Sequence, residues 1–289
     1  MSEKTATRRR FFRRGLGFGG LFAVPALSTG FAAEPAPNNE TLKTIQALRS
    51  IHGDFSDKSV PADQVEAVID ASVRAANASN MQSYSIVVSR DSAKIQKLTG
   101  YRANCLLLYC ADYTRYVDVA KHLGDGYNPD GTDGFVTAST NTILAAQTAV
   151  IAARSMGIDS LLTNGIHRGD MERIWEILDL PQKSCFPLIA LLLGYPRSEP
   201  PYRMGRLRGP GLVHYERYHH MSGEESDQMV RQMDDKALHV SLNDDWRQKG
   251  YKHYLDWFFK EWVSRNKVAG EGPMSRRLRK SGFIDAPGA

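Results

Sequence analysis

Apolar residues recur along the chain with two spacings, one typical of helices and one typical of strands. After Pro61 they fall three or four positions apart as far as Val73, which marks one face of a helix. Residues 84–88 are β-branched, and residues 104–111 form an unbroken apolar run, so both segments are predicted strands. The full pattern predicts helices near 41–50, 61–76, 92–98, 135–156, 168–178, 224–235 and 244–266, and strands at 84–88, 104–111, 160–163 and 186–193.

The order of these elements predicts an α+β fold. Helices and strands mix without the regular βαβ period of a parallel sheet. The dinucleotide fingerprint Gly-x-Gly-x-x-Gly follows none of the predicted strands, so a nicotinamide-binding Rossmann domain is disfavoured. The helix at 135–156 is rich in alanine and apolar around most of its circumference, which predicts a buried central helix.

Composition assigns the excess of positive charge to the amino-terminal segment. The chain has 289 residues, 42% of them hydrophobic, and a formal net charge of +5. Residues 1–33 contain six basic residues and one acidic residue, and the rest of the chain is balanced. A surface for nucleic acid is therefore not expected, because binding the phosphate backbone needs a basic body.

The amino-terminal segment has the layout of an export signal. Paired arginines precede Phe11 and Phe12, and residues 15–33 carry no charge. This pattern resembles the twin-arginine signal, which predicts recognition by the twin-arginine export machinery and a periplasmic location. The alternative is an uncleaved leader that anchors the protein in a membrane. Residues 34–40 are predicted to be a linker.

The remaining chain is predicted to form a main domain and an extension. We place the main domain at residues 41–212 and a helical, aromatic-rich extension at 213–289. The three cysteines do not suggest a disulfide framework. Cys105 and Cys110 are an odd number of positions apart in one predicted strand, so they point to opposite faces and cannot pair, while a pairing of Cys185 stays open.

Four separated motifs carry the candidate chemistry of the chain. The first is Arg-Ser-Ile-His-Gly-Asp-Phe at 49–55, and the second is Ala-Ala-Asn-Ala-Ser-Asn-Met-Gln-Ser-Tyr at 75–84. The third is the turn and strand at 157–165. The fourth joins Gly-Tyr-Pro at 194–196 to Arg-Leu-Arg at 206–208. Together these motifs resemble the FMN-dependent nitroreductase family. The resemblance implies a central mixed or antiparallel sheet flanked by helices, a helical carboxyl-terminal tail, and one FMN per subunit at a homodimer interface.

The candidate site residues follow from the chemistry of FMN. A phosphate dianion favours arginine forks and hydroxyl or imidazole donors, the ribityl chain and the ring edges favour amides and hydroxyls, and the flavin N5 edge favours backbone N–H groups beside a glycine. The residues that match these needs in turn are Arg49, Arg206, Arg208, Ser50 and His52 for the phosphate, Asn77, Ser79, Asn80 and Gln82 for the ribityl chain and ring edges, and Asn164 and Gly165 for N5.

One departure from the family leaves the catalytic residue unassigned. His52 and Gly53 stand where relatives carry a lysine or arginine before the aromatic residue. A histidine there is only partly charged near neutral pH, so no side chain is named as the group that stabilises the reduced ring. No metal site is predicted, since the histidines near residues 214–220 lack the usual carboxylate or thiolate partners.

The function implied by the resemblance is an FMN-dependent oxidoreductase. A reduced donor, NAD(P)H in the relatives, would reduce the flavin and leave, and a nitroaromatic, quinone or similar acceptor would then take the hydride from N5 by a ping-pong mechanism. For an exported protein, a quinol or a small redox protein is an alternative donor. The alternative functions are an exported flavin-binding protein with little catalysis, and a flavin dehydrogenase or reductive dehalogenase.

Overall fold

The structure is a computed structural model that describes residues 39–129, 131–200, 203–263 and 271–285. The predicted export signal at 1–33 and most of the predicted linker at 34–40 lie outside the described residues. The described residues from Asn39 onward belong to one compact unit.

Helices and strands alternate irregularly along this unit. The helices are α1 (Glu40–Gln46), α2 (Ala62–Ser72), α3 (Ser92–Thr99), α4 (Thr114–Leu123), α5 (Gly131–Ser155), α6 (Glu172–Leu178), α7 (Gly223–Met233), α8 (Tyr254–Trp257) and α9 (Pro273–Lys280). The strands are β1 (Tyr84–Ser89), β2 (Cys105–Asp112), β3 (Asp159–Thr163) and β4 (Cys185–Gly194). Short 3-10 turns lie at Ala78–Asn80, Gly165–His167, Lys236–Leu238 and Val240–Leu242, and a π-helical turn at Phe258–Val263 follows α8.

The four strands form one sheet in the order β1-β2-β4-β3, and each neighbouring pair is antiparallel. The predicted α+β class with a central sheet flanked by helices is therefore confirmed. Every residue of β2 is buried, which explains its unbroken apolar run. Side chains of β2 alternate between two core clusters. Cys105 packs on the side of α2 and α5, and Cys110 packs on the side of α3 and α6. All three cysteines are buried free thiols.

The central helix α5 is buried on one side only, so the prediction of burial around its circumference is wrong for a single chain. Ala145 and Ala149 are fully buried against the sheet and α2. On the other side, Val136 is 57% exposed, Ile143 40% and Leu144 42%. The apolar residues on this outer side form a stripe that nothing in the described part of the chain covers.

Several predicted helix bounds were also wrong. The helix predicted at 41–50 ends at Gln46, and the one predicted at 168–178 begins only at Glu172. The helix predicted at 244–266 is regular only from Tyr254, because Gly250 adopts a positive φ of 80° that a helix does not accept. Helices α4 and α9 were not predicted. Helix α9 is short and strongly basic, and only Met274 and Leu278, four positions apart, mark the side that packs on the core.

The carboxyl-terminal residues pack in two places. Trp246, Tyr254 and Trp257 form a small cluster of their own, and the ring of Tyr254 stacks on His239 with centroids 3.9 Å apart. Further along, Phe283 is 1% exposed and belongs to the main core.

Candidate functional site

The first motif runs along the free edge of β3. The backbone N–H of Ile51 donates to the carbonyl of Ser160 at 3.0 Å, and Ser50 pairs with Ser160 as an isolated parallel bridge. Ile51 is 3% exposed, whereas Ser50 and His52 on either side of it are exposed. The alternation of an extended chain thus anchors the motif through Ile51 and leaves the two polar side chains on the surface.

The same motif continues to the end of β4. Ser56 N–H donates to the carbonyl of Tyr195 at 2.7 Å, and Phe55 is 5% exposed against Gly194. A β-carbon at Gly194 would lie 2.7 Å from the Phe55 ring, so this close packing requires glycine. The first motif, the start of the third and the Gly-Tyr-Pro of the fourth therefore meet at one end of the sheet.

Arg49 is held by two carboxylates of very different exposure. Its Nε and Nη2 donate to the two oxygens of Asp159 at 2.9 and 2.7 Å, and Asp159 is 3% exposed. Its Nη1 donates to Glu199 at 2.5 Å, and the side chain of Glu199 is 78% exposed. The hydrogen bonds that Arg49 donates, to Asp159 first and then to Glu199, raise the pKa of Arg49, and the same contact with Arg49 lowers the pKa of Glu199. All three guanidinium nitrogens thus already contact a carboxylate.

The second motif forms a polar loop, residues 77–82, with a strained backbone. Ser79, Asn80 and Gln82 have φ values of 53°, 55° and 48°, in the left-handed region that non-glycine residues seldom adopt. The Oδ1 of Asn77 accepts the backbone N–H of Gln82 at 3.0 Å, so Asn77 closes the loop. Ser79 and Asn80 are exposed. Strain of this kind persists where the surroundings hold the backbone in place.

Asn141 of α5 holds the polar loop from beneath. This side chain is 2% exposed, its Oδ1 accepts the N–H of Ala78 at 2.9 Å, and its Nδ2 donates to the Oγ of Ser83 at 2.7 Å. Asn141 was not among the predicted site residues. Its signal was an asparagine on the sheet-facing side of an alanine-rich helix, where a buried amide needs hydrogen-bond partners.

A second support of the polar loop comes from α4. Arg115 Nη2 donates to the carbonyl of Gln82 at 2.5 Å, and Tyr116 OH donates to the carbonyl of Met81 at 2.6 Å. Arg115 is exposed and brings a positive charge to the loop. This residue was also missed, because α4 itself was not predicted.

The third motif ends in a tight turn beyond β3. Asn164 is exposed and precedes the 3-10 turn Gly165–His167. The N–H of Gly165 donates to Thr163 Oγ1 at 3.0 Å, and a β-carbon at Gly165 would lie 3.0 Å from that same oxygen. His167 Nε2 lies 2.8 Å from the carbonyl oxygen of Pro187, and burial lowers the pKa of this histidine. The turn is thus fixed to β4 through an imidazole that sequence reasoning had not assigned.

The arginine pair of the fourth motif lies on an exposed arm. Gly205 N–H donates to the carbonyl of Ala237 at 3.0 Å, which holds the arm against the 3-10 turn of the extension. Arg206 and Arg208 are both exposed. Arg206 Nη1 donates to the carbonyls of Met204 and Gly205 at 3.3 and 2.7 Å, so its charge has no carboxylate partner in the described part of the chain.

The sheet register separates the pieces into two groups. The pairing of Asp159 with Gly194 places the first motif at one end of the sheet, and the pairing of Tyr84 with Ala111 places the polar loop at the other. Asn164 follows β3 toward the loop's end of the sheet, but β3 and β1 are opposite edges, roughly 14 Å apart across three strand spacings. The β3 turn and the polar loop therefore lie toward the same end of the sheet but on opposite edges, and the first motif lies at the other end of the β3 edge.

The fold and this arrangement define a nitroreductase-like α+β protein. Residues 45–108 match the Nitroreductase family. The chain is 29% identical over 170 residues to FMN reductase (NADPH) of Bacillus subtilis (strain 168), which covers 55% of this chain and 67% of that protein. It is 28% identical over 192 residues to NADPH-flavin oxidoreductase of Vibrio harveyi, covering 64% and 77%.

Solved structures agree on the fold. NfrA1 of B. megaterium superposes with a TM-score of 0.72 at 25% identity, covering 86% of this chain and all of that one (100%). The NADPH:FMN oxidoreductase of Vibrio harveyi, solved in complex with NAD+, superposes with a TM-score of 0.67 at 23% identity, covering 85% and 99%. The likeness thus extends well beyond the segment that matches the family.

Proposed function

We propose that this protein is an FMN-dependent oxidoreductase that passes hydride or electrons from a reduced nicotinamide nucleotide to a small organic acceptor such as a nitroaromatic or a quinone. The observation that carries the proposal is a nitroreductase-like fold with exposed polar groups along one free sheet edge. The similarity to an FMN reductase and to an NADPH-flavin oxidoreductase supports both the cofactor and the class of enzyme. Bound FMN supplies the hydride chemistry at N5, and the protein supplies position and electrostatics.

The phosphate of FMN fits the arginine arm better than it fits Arg49. Arg206 and Arg208 are exposed, and the guanidinium of Arg206 contacts backbone carbonyls. Such groups are available for charge-assisted bonds to a phosphate dianion. Arg49 can offer a phosphate only the side of its guanidinium that contacts Glu199 through Nη1. Ser50 and His52 are exposed beside it.

The outer edge of β3 provides a path from the first motif to the ring. Ser50 pairs beside Ser160 near its start, and Asn164 and Gly165 follow its end. Four residue steps separate Ser160 from Asn164, or roughly 13 Å of extended chain. We assign the turn at Asn164 and Gly165 to the N5 edge of the ring. Glycine there avoids the tight contact, 3.0 Å, that a β-carbon would make with Thr163 Oγ1.

The polar loop requires a second copy of the chain to reach this edge. The loop precedes β1, which is the edge strand opposite β3. We therefore propose that Ser79, Asn80 and Gln82 contact the cofactor of a partner protomer in a homodimer. The uncovered apolar stripe on α5 supports this arrangement, since large exposed apolar patches mark association surfaces. Each FMN would then be held by both protomers.

We favour a ping-pong sequence, because the donor and the acceptor would both bind over the same flavin. Bound FMN would supply the electron transfer, and the donor would leave before the acceptor occupied the same face. NADPH is the donor that the names of these relatives support. Export by the twin-arginine route remains a prediction from residues 1–33. For an exported protein, a quinol or a small redox protein is the alternative donor.

The test measures FMN affinity in a charge variant and in a matched control. Arg206→Ala combined with Arg208→Ala is expected to weaken FMN binding by about 100-fold or more, because two charge-assisted contacts are lost. Lys94→Ala combined with Lys97→Ala removes the same charge from exposed positions of α3 and is expected to leave the affinity unchanged. Equal FMN affinity in the arginine variant and the wild type would refute the phosphate assignment.

The same preparation separates an enzyme from a flavin carrier. After reduction by NADPH under anaerobic conditions, the flavin of an oxidoreductase is reoxidised quickly by an added quinone or nitroaromatic. A flavin that binds tightly but is neither reduced nor reoxidised would favour a storage or delivery protein instead.

A further inference from the structure

A cavity of about 410 Å³ lies between the start of α6 and helix α9. Residues 169–172 form one wall, and four residues of α9 form the other: Pro273, Arg276, Arg277 and Lys280. None of the residues assigned to the flavin lines it. Its volume lies within the range of about 300–1,000 Å³ that is typical of small-ligand sites.

Arg277 is the most deeply buried charged residue of the cavity lining, and two of its guanidinium nitrogens have no hydrogen-bond partner in the described part of the chain. It is 2% exposed, and its guanidinium lies 3.5 Å from the centre of the Trp175 ring. Its Nη1 donates to Glu172 at 3.3 Å and to Gln182 at 3.1 Å. Its Nε and Nη2 are buried and have no hydrogen-bond partner in the described part of the chain. Burial lowers the pKa of Arg277, so its surroundings compensate its charge incompletely.

The lining of the cavity as a whole carries one more positive charge than negative charge. Arg276 and Lys280 are exposed there, together with the carboxylates of Asp170 and Glu172. Glu172 is shared, since Lys280 Nζ contacts it at 2.8 Å and Arg277 at 3.3 Å. Three cations thus face two carboxylates. An anion in the cavity would compensate the excess positive charge of this lining.

We propose that this cavity binds a small organic anion carrying a phosphate or carboxylate group, with Arg277 at its base and Arg276 and Lys280 at its mouth. Met171 and Pro273 supply apolar wall for the carbon skeleton of the ligand. The volume is larger than a bare inorganic anion requires. The site is separate from the flavin assignment and does not depend on it.

Isothermal titration calorimetry with inorganic phosphate and with acetate, at constant ionic strength, tests the proposal and distinguishes the two anion chemistries. The titration is run with and without saturating FMN, so that a phosphate site belonging to the flavin is recognised by its competition with FMN. We expect saturable binding of at least one probe in both conditions. Lys280→Ala is expected to weaken it about tenfold, and Glu172→Gln to strengthen it by removing the internal counter-ion.

A matched control lies on the same helix. Arg279 pairs with Glu271 at 2.7 Å and does not line the cavity, so Arg279→Gln is expected to leave anion binding unchanged. Arg277→Lys keeps the buried charge while removing the planar fork, and should weaken binding in a protein whose fold is checked by circular dichroism. The proposal is overturned if neither probe binds saturably up to roughly 10 mM, ten times a weak millimolar Kd. It is also overturned if Arg279→Gln and Lys280→Ala weaken binding equally.

Discussion

Asp159→Asn tests the ion-pair network that fixes the first motif to β3. Asp159 is 3% exposed and accepts bonds from Arg49 at 2.9 and 2.7 Å and from Arg154 at 2.8 Å. The side chains of Arg49 and Arg154 are 21% and 25% exposed, so water screens part of the charge they would carry unpaired. An asparagine keeps one acceptor oxygen and turns an amide donor toward a guanidinium. We expect the unfolding free energy to fall by about 2–4 kcal/mol.

Urea denaturation at neutral pH measures this loss, and the second carboxylate on the same guanidinium provides the control. Glu199 contacts Arg49 at 2.5 Å but is 78% exposed. Glu199→Gln is therefore expected to change the unfolding free energy within experimental error. If Asp159→Asn also leaves stability unchanged, the buried pair does not hold the motif and our account of this end of the sheet is wrong.

Three further predictions concern the loop, the core and the sheet end. Asn141→Ala should lower the unfolding free energy by about 2 kcal/mol and weaken FMN binding. In a double-mutant cycle with Ser83→Ala, measured by urea denaturation, the two losses of unfolding free energy should be less than additive, because the two side chains share one hydrogen bond. Burial raises the pKa of Tyr109 to about 12, above the value near 10 of an unfolded chain. The stability that its protonated hydroxyl contributes is therefore present below pH 10 and lost as the pH rises toward 12. Tyr109→Phe should make the unfolding free energy fall less steeply over this alkaline range. Gly194→Ala should cost about 1–3 kcal/mol, because its methyl would lie 2.7 Å from Phe55, and an unchanged melting temperature would contradict the packing.

The core of the fold could be predicted because the local spacing of apolar residues specifies its helices and strands. The unbroken apolar run of residues 104–111 became β2, and the stripe after Pro61 became α2. The alternation of Cys105 and Cys110 between the two faces of the sheet was likewise confirmed. These features depend on neighbours along the chain, and a period of two or of 3.6 reveals them.

The contacts that shape the candidate site could not be predicted, since they join distant segments. Arg49 and Asp159 are 110 positions apart, and Asn141 and Ser83 are 58 apart. No local period reveals such partners. Arg49 was selected for a phosphate on composition and resemblance, yet two carboxylates occupy it in the fold. The separation of the polar loop from the first motif also appeared only once the strand register was known.

Anaerobic titration of the FMN-saturated protein with NADPH, followed by addition of a quinone, tests the central claim most directly. We expect the visible flavin absorbance to bleach with one equivalent of NADPH per bound FMN and to return on adding the quinone. A protein that retains no FMN after gel filtration, or whose bound flavin stays oxidised in excess NADPH and in reduced quinol alike, would contradict the account.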